Sequence, residues 1–233
     1  MNKIGALLIA AALVIAAVFV VVGGFGFGTV GSPAAGLIVP LYSYPTSSTW
    51  SALIQAKQAN PSVPVIAIIN PDSGSGTVSD ANYVTGVASL QSAGITVIGY
   101  AYTGYGGTSL SSVEANISNY KSFYNVNGIL FDAMSSSTST EFYYSSLNSY
   151  AKSLGMSVTV GGAGNAVPSS FIVILNMYVI YEGAGLPSTT LLASATAGYE
   201  VQLCHGLIRR EFQFLESDVC HKRLELRELH VHH

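Results

Sequence analysis

From residue 36 to about residue 199, the chain alternates between short apolar runs and longer stretches of mixed polarity. The apolar runs have no polar face, which is typical of strands buried on both sides of a sheet. Six are predicted to be strands: Leu37–Pro40, Val63–Asn70, Ile95–Ala101, Gly128–Asp132, Met156–Val160 and Met177–Glu182. Their starts are spaced by roughly thirty residues, except for a shorter last interval.

Helix-like stretches separate the first five apolar runs. They are predicted at Ser47–Ala59, Asp80–Ala93, Ser109–Tyr124 and Thr140–Leu154. Asp80 suits the N-cap of its helix, and Gly94 and Gly155 follow two of the helices, as glycine commonly does at a helix C-terminus. Strands that alternate with helices predict a parallel sheet.

The repeated strand–helix units predict an α/β fold of the (β/α)8 TIM-barrel type. No seventh or eighth strand is recognisable after Tyr199, so the predicted barrel is incomplete at its C-terminal end. A doubly wound open sheet is the alternative, although no glycine fingerprint for a dinucleotide follows the first strand. We therefore divide the chain into a leader (residues 1–35), a barrel domain (residues 36–199) and a tail (residues 200–233).

The leader contains one uninterrupted run of apolar residues and glycine, Ile4 to Val22, after a start that includes Lys3. A secretory signal has an apolar core of about 7–15 residues and a membrane-spanning helix needs about 20. The run predicts export, either through a cleaved signal peptide or with an uncleaved anchor in the membrane. Residues 36 onward would then lie outside the cytoplasm, secreted or held at the cell surface.

The tail differs in composition from everything before it. Residues 200–233 hold both cysteines, all five histidines and 11 of the 21 charged Asp, Glu, Lys and Arg residues. A reading-frame change near Tyr199–Glu200 and a native ending both remain open. The pairs Cys204-His205 and Cys220-His221 do not match a standard zinc spacing, so no metal site is predicted. Two amphipathic runs in the tail leave open a role in oligomerisation.

Composition narrows the class of ligand. Charged residues make up 9% of the chain, against roughly 25% in a typical soluble domain, and Tyr, Ser, Thr and Gly take their place. Such a surface suits an extracellular protein and contact with carbohydrate. The net charge of −3 and the absence of a basic stripe argue against nucleic acid as a partner. Because residues 36–199 lack cysteine, an apolar core must hold the domain together.

Acidic residues are scarce before residue 200, so candidates for acid–base chemistry are few. They are Asp72, Asp80, Glu114, Asp132, Glu141 and Glu182. Only Asp132 and Glu182 follow apolar runs at predicted strand ends, where α/β enzymes place their chemistry. Either residue could instead be an ordinary loop acid. Polar and aromatic residues also follow the other strands, and the predicted substrate contacts are Tyr42, Asn70, Tyr100, Thr103 and Tyr105.

Several of these strand ends together resemble one known family. The matching segments are Val39-Pro40-Leu41-Tyr42, Ile69-Asn70-Pro71-Asp72-Ser73-Gly74, Val97-Ile98-Gly99-Tyr100, Tyr102-Thr103-Gly104-Tyr105-Gly106, Gly128-Ile129-Leu130-Phe131-Asp132 and Ile180-Tyr181-Glu182. Residues 36 to about 199 resemble the spherulin-4-like family, which is similar to glycoside hydrolases that cleave amino-sugar polysaccharides. The resemblance implies a (β/α) barrel with its active site at the strand ends. Asp132 matches the acidic residue of the family's fourth strand and Glu182 that of its sixth.

The chain departs from the family pattern at two positions. Ala133 stands where the family usually has a Glu after the strand-four Asp, and Gly161-Gly162-Ala163-Gly164-Asn165 replaces an expected Asn-Pro-Gly segment.

From the resemblance and the two strand-end carboxylates, we expect an exported glycoside hydrolase that needs no metal or organic cofactor. Glu182 would act as acid/base and Asp132 as nucleophile or stabiliser. The alternative is a catalytically impaired protein that binds polysaccharide or has a structural role at the cell surface.

Overall fold

The computed structural model describes residues 18–23 and 36–183, together with Ser188 and Thr190. The seven strands within these ranges are β1 (Val18–Gly23), β2 (Leu37–Leu41), β3 (Val65–Ile69), β4 (Thr96–Tyr102), β5 (Gly128–Asp132), β6 (Val158–Gly162) and β7 (Met177–Gly183). The four α-helices of the described part are α1 (Ser48–Ala59), α2 (Ala81–Ser92), α3 (Leu110–Tyr124) and α4 (Glu141–Ser153). Short 3-10 helices lie at Gly104–Gly106, Thr138–Thr140 and Ser169–Val173.

Strands β2 to β7 are parallel and lie side by side in the order in which they occur in the chain. The sheet curls into a half-barrel, which confirms the predicted alternation of strands and helices. The eightfold barrel is not confirmed, because six parallel strands are present in the described part. The doubly wound alternative is wrong, since the strand order never reverses.

The two faces of the sheet bury different partners because successive side chains of a strand point to opposite sides. On the outer face, alternate strand residues such as Val97 and Ile129 pack against helix residues such as Leu90 and Ile117. The inner face is a separate cluster built from strand residues alone. Its members are Ile38, Ile66, Ile68, Ile98, Leu130, Val158, Val160, Met177 and Val179, with Tyr100 packed against them. A sheet with helices on one face and a strand-lined core on the other is what a barrel requires.

Two glycines permit close packing on this sheet. A Cβ on Gly99 would lie 2.6 Å from the ring of Tyr120, which covers β4 on the helical side. A Cβ on Gly128 would lie 2.0 Å from the carbonyl oxygen of Val158 on the neighbouring strand. Larger residues at either position would force the helix or the strand away.

Part of the predicted leader differs from expectation. Residues 18–22 of the apolar run belong to β1, whose backbone pairs antiparallel with β7. The backbone groups of this piece are thus satisfied by a neighbouring strand and not within a helix. No helix in the described ranges has the length and apolar character that crossing a membrane requires. Residues 4–17 of the run and the tail, residues 200–233, lie outside the described residues.

Candidate active site

Parallel strands bring their carboxyl ends to one edge of the sheet, and Asp132 lies at this edge. It is the last residue of β5, paired with Tyr102 on β4 and with Gly162 on β6. Its side chain is half-buried. A Cβ on Gly162 would lie 3.3 Å from Asp132 Oδ1, so this glycine leaves space beside the carboxylate.

Two tyrosines define the surroundings of the Asp132 carboxylate. The Tyr100 hydroxyl donates a hydrogen bond of 2.7 Å to Asp132 Oδ2. The ring of Tyr42 meets that of Tyr100 edge-on, with ring centroids 6.0 Å apart. Burial, the hydrogen bond to Asp132 and its negative charge together raise the pKa of Tyr100. Tyr100 therefore keeps its proton and remains a donor to Asp132 at neutral pH.

Glu182, on β7, reaches this edge through an irregularity of its strand. Regular alternation would place it on the helical side with Tyr178 and Ile180, because Met177 and Val179 face inward. The register with β1 shifts between the pairs Val20–Tyr181 and Val21–Val179, which leaves Ile180 as an extra residue. Such a bulge re-aims the residues that follow it. The bulge therefore interrupts the alternation that would have kept Glu182 on the helical side.

The electrostatics agree with this placement of Glu182. Partial burial of the carboxyl, followed by the negative charge of Asp132, raises the pKa of Glu182, although the residue as a whole is exposed. Burial and the charges of both Asp132 and Glu182 also raise the pKa of Tyr42. The charges of both carboxylates therefore act on the Tyr42 hydroxyl, although the residue is 47% exposed. A carboxyl whose pKa is raised beside a second carboxyl is the pattern of an acid and its partner.

The loop that follows Asp132 is held by Thr103 and Tyr144. The Thr103 hydroxyl lies 2.8 Å from the carbonyl oxygen of Asp132, 2.9 Å from that of Ala133 and 3.1 Å from the Tyr144 hydroxyl. Tyr144 in turn accepts a hydrogen bond of 2.8 Å from the Ser135 N–H. These contacts stabilise a left-handed backbone at Ala133, whose φ is 47°.

The prediction that Thr103 contacts substrate is therefore corrected. The residue is 0% exposed, and its hydroxyl is occupied by backbone carbonyls and Tyr144. Its hydroxyl holds the peptide after Asp132, and the side chain exposes no surface to a ligand. The position of Thr103 after a strand does not reveal that the peptide after β5 and Tyr144 cover it.

The other predicted contacts lie at the same edge. Asn70 is half-buried, and its Oδ1 accepts a hydrogen bond of 2.7 Å from the Gly74 N–H, so it also orders the loop after β3. Tyr105 is 67% exposed, and its N–H donates to the Ala133 carbonyl oxygen at 2.7 Å. Two further tyrosines at this edge are not among the predicted substrate contacts. Tyr102 lies two residues beyond Tyr100 on β4 and therefore shares its inner face, and Tyr44 lies on the loop after β2.

Exposed aromatic side chains are concentrated at this edge. The large aromatic residues with exposed side chains in the described part are Tyr42, Tyr44, Tyr102, Tyr105 and Phe142. Tyr102 is the last residue of β4, and the other four lie after a strand or at the start of a helix that follows one. Aromatic rings with a polar group suit ligands that have both apolar faces and hydroxyls.

Charge is segregated between the two edges of the sheet. Residues 36–183 contain six carboxylates and three lysines, which gives a net charge of 3 − 6 = −3. The carboxylates lie at or after the carboxyl ends of strands, or at the N-cap or in the early turns of helices that start at this edge; they are Asp72, Asp80, Glu114, Asp132, Glu141 and Glu182. Lys57, Lys121 and Lys152 all lie in last helical turns, at the opposite edge. The candidate site therefore has a negative potential, which disfavours anionic ligands.

Within the described ranges, no group of three or more His, Cys, Asp or Glu residues is arranged to hold a metal ion. The Cys-His pairs of the tail lie outside those ranges.

Comparisons with known proteins agree with this geometry. Spherulin-4 from Physarum polycephalum is 36% identical over 152 residues, which is 64% of this chain. The chain spans about half, 45%, of the length of that relative. The crystal structure of Aspergillus clavatus Sph3 in complex with GalNAc superimposes with a TM-score of 0.59 at 24% identity, covering 72% of this chain and 71% of that one. This likeness shows the fold.

A family model also covers most of the chain. The description of that model is spherulation-specific family 4, and it matches residues 36–204, which include every strand from β2 to β7 and both candidate carboxylates. On this match, the chain belongs to spherulation-specific family 4.

Proposed function

We propose that this chain is a glycoside hydrolase that cleaves O-glycosidic bonds in an amino-sugar polysaccharide. The observation that carries the proposal is the electrostatic coupling of Asp132 and Glu182 at one sheet edge, beside Tyr42 and Tyr100. Two carboxylates on either side of a glycosidic bond supply the acid and the nucleophile or base of most glycoside hydrolases.

The environments of the two carboxylates suggest their roles. Glu182, whose pKa is raised, retains its proton more readily and donates it to the leaving glycosidic oxygen. Asp132, which accepts the Tyr100 hydrogen bond as a carboxylate, either attacks the anomeric carbon or takes a proton from the attacking water. Separations of about 5–5.5 Å between the carboxyl groups of a sugar complex would indicate retention, and about 6.5–9.5 Å inversion.

The substrate class follows from the surface around these carboxylates. Tyrosine rings stack on the apolar faces of sugars, and the negative potential disfavours sulfated and uronic-acid polymers while it tolerates neutral or cationic ones. Amino sugars are neutral when acetylated and cationic when free. The presence of GalNAc in the Sph3 complex supports the same class.

Turnover by the purified full chain tests the proposal. Acetylated and deacetylated amino-sugar polymers are incubated with it, and new reducing ends are counted. Asp132→Asn and Glu182→Gln are each expected to lower the rate at least about 100-fold. Glu114→Gln, which removes a half-buried carboxylate on α3, serves as the matched control and should leave the rate unchanged. Equal turnover by all four proteins would contradict the assignment.

A second candidate function is binding of the polysaccharide without hydrolysis. Ala133 favours it, since this residue stands where the family usually carries a second acid. Calorimetric binding that persists without turnover would support this alternative. Ala133→Glu separates the two further, because a rate that appears only in this variant would show that the natural chain lacks one catalytic group.

We also propose that the leader directs export, so that the domain meets its polymer outside the cytoplasm. The apolar run Ile4 to Val22 supports this proposal, and residues 4–17, which precede β1, are left to serve as the signal because residues 18–22 pair with β7. Protease added to intact cells should digest an epitope placed after residue 233 if the chain remains anchored, and the epitope should appear in the medium if the leader is cleaved. Protection of the epitope inside the cells would contradict export.

A further inference from the structure

The loop after β2 presents two tyrosines with different neighbours. Tyr42 and Tyr44 are separated by one residue and are 47% and 46% exposed. Tyr42 approaches Tyr100 and the two carboxylates, whereas Tyr44 lies over the start of α2. Two residues of chain span at most about 7 Å between Cα atoms, so the two side chains leave the backbone at points close enough to serve neighbouring units of one polymer.

The backbone between these tyrosines is anchored from below by α1. The indole N–H of Trp50 donates a hydrogen bond of 3.0 Å to the Ser43 carbonyl oxygen, and the Ser43 and Thr49 hydroxyls are 2.5 Å apart. Trp50 is 3% exposed and packs directly on Gly86 of α2, where a Cβ would lie 2.7 Å from its ring. The loop is therefore ordered before any ligand arrives.

The Tyr44 ring is also fixed in its orientation. Its hydroxyl donates to Asp80 Oδ2 at 3.0 Å and accepts from Asn82 Nδ2 at 2.8 Å. Its ring meets that of Tyr83 edge-on, with ring centroids 5.6 Å apart, and Tyr83 meets Trp50 in the same way. Three contacts thus hold the hydroxyl and one edge of the ring, while nearly half of the side chain remains in solvent.

Capping of α2 does not require Tyr44. Asp80 Oδ1 alone accepts the hydrogen bonds from the N–H groups of Asn82 and Tyr83, at 2.8 and 3.3 Å. The second carboxylate oxygen, Oδ2, is the one that binds the Tyr44 hydroxyl. The contact therefore orients the tyrosine more than it completes the helix terminus.

We propose that Tyr44 is a second sugar-binding platform, which holds a unit of the polysaccharide adjacent to the unit at Tyr42 and the carboxylates. A ring that is ordered beforehand loses little conformational entropy when a sugar stacks on it. Asp80 and Asn82 at its rim supply hydrogen-bond partners for sugar hydroxyls or amino groups. The inference rests on the proposed function, and it makes the protein specific for chains longer than the unit being cleaved.

The test compares the full chain with its Tyr44→Ala variant in calorimetric titrations. The probes are N-acetylgalactosamine and longer oligosaccharides of the same sugar. Tyr44→Ala is expected to weaken oligosaccharide binding about fivefold while the affinity for the monosaccharide stays the same. Tyr44→Phe keeps the ring and should retain most of the affinity. Val84→Ala, which shortens a 42% exposed side chain on α2, is the control and should bind as the unchanged chain does.

The possible results separate the two proposals. Oligosaccharide affinity that is unchanged in Tyr44→Ala overturns the platform alone, and so does an equal loss for monosaccharide and oligosaccharide. Absence of both binding and polymer turnover by the unchanged chain overturns the platform and the proposed function together, whereas turnover without oligosaccharide binding overturns the platform alone. If Tyr44→Ala unfolds, Tyr44→Leu replaces it, because leucine still packs on Tyr83 but offers no planar face.

Discussion

The Tyr100 hydroxyl donates a 2.7 Å hydrogen bond to Oδ2 of Asp132, from the strand next to it in the sheet. This contact fixes the orientation of one carboxylate oxygen and leaves Oδ1 on the side of Gly162. A hydrogen bond to a charged group is among the stronger contacts of a folded protein, worth about 1.5–3 kcal/mol. Tyr100, which packs on the inner face of the half-barrel, therefore orients the carboxylate that takes part in the proposed reaction.

Removal of this hydrogen bond in Tyr100→Phe should lower kcat/KM about 10- to 100-fold, because the Asp132 carboxylate loses its only side-chain donor in the described part. The melting temperature should change little, since the ring and its packing remain. Kinetics on the amino-sugar polymer and a thermal melt measure the two effects. The same loss in Tyr150→Phe, which removes a 2.7 Å hydrogen bond to the Ser118 hydroxyl between α3 and α4, would show that the effect is unspecific.

Protonation of Glu182 should control the alkaline side of the pH–rate profile. An acid catalyst must carry its proton, so the rate should fall as the pH rises through the raised pKa of Glu182. The carboxyl can be followed directly by carbon-13 NMR, with its resonance identified through Glu182→Gln. In Asp132→Asn the pKa of Glu182 should fall, because the repulsion from Asp132 is lost. It should stay above the usual pKa of a glutamate, because the burial of Glu182 remains. Glu114→Gln should leave it unchanged.

The same residue makes stability depend on pH. Because the pKa of Glu182 is raised on folding, the folded protein binds more protons than the unfolded chain between about pH 4 and the raised value, and stability falls as the pH rises through this window. Glu182→Gln should therefore raise the melting temperature at neutral pH and give no gain below about pH 4. A gain that is equal at all pH values would contradict ionisation as the cause.

Ala133 occupies a left-handed conformation that favours glycine. Ala133→Gly relieves this strain. The free energy gained should exceed the stability lost to the greater entropy of the unfolded chain, so the fold should become more stable by about 0.5–1 kcal/mol. Denaturant unfolding measures the difference. Ala163→Gly is a suitable control, because the backbone of Ala163 has no positive φ and glycine there should destabilise.

The Thr103 hydroxyl supports the peptide after Asp132 from a fully buried position. Thr103→Val keeps the shape but removes the buried partner of the Tyr144 hydroxyl and one of the two donors to each carbonyl oxygen, so a loss of about 1–3 kcal/mol in unfolding free energy is expected. Thr103→Ser keeps the hydroxyl and should recover most of this loss. Equal destabilisation by Val and Ser would indicate that the methyl group matters more than the hydrogen bonds.

Asn116 belongs to the sequence Asn116-Ile117-Ser118, which matches the acceptor for N-linked glycans. Its side chain is committed in the fold, since Oδ1 accepts from the Ser75 N–H at 2.8 Å and Nδ2 lies 3.5 Å from the Tyr100 carbonyl oxygen. We expect the native protein from a glycosylating host to carry no glycan there, and intact-mass measurement would detect one. Full occupancy with an unchanged melting temperature would contradict this expectation.

Much of the architecture could be predicted locally. Apolar runs such as Gly128 to Phe131 are buried on both faces, and this needs no knowledge of the neighbours. The position of Asp132 at a strand end follows from the same pattern. Parallel pairing then places the strand ends together, so Tyr42 and Tyr100 could be predicted to lie at one edge.

Other features depended on contacts between distant segments. The position of Glu182 depends on an extra residue in β7 at Ile180, and this bulge is defined by the pairing of β7 with β1, about 160 residues earlier in the chain. Thr103 is buried because the peptide after β5 and the ring of Tyr144 close over it. The sequence by itself determined the strand–helix alternation and the acidic strand end, since periodicity and burial are local properties. Only the tertiary structure decided which side chains share the cleft, because register and side-chain cover are set by neighbouring strands.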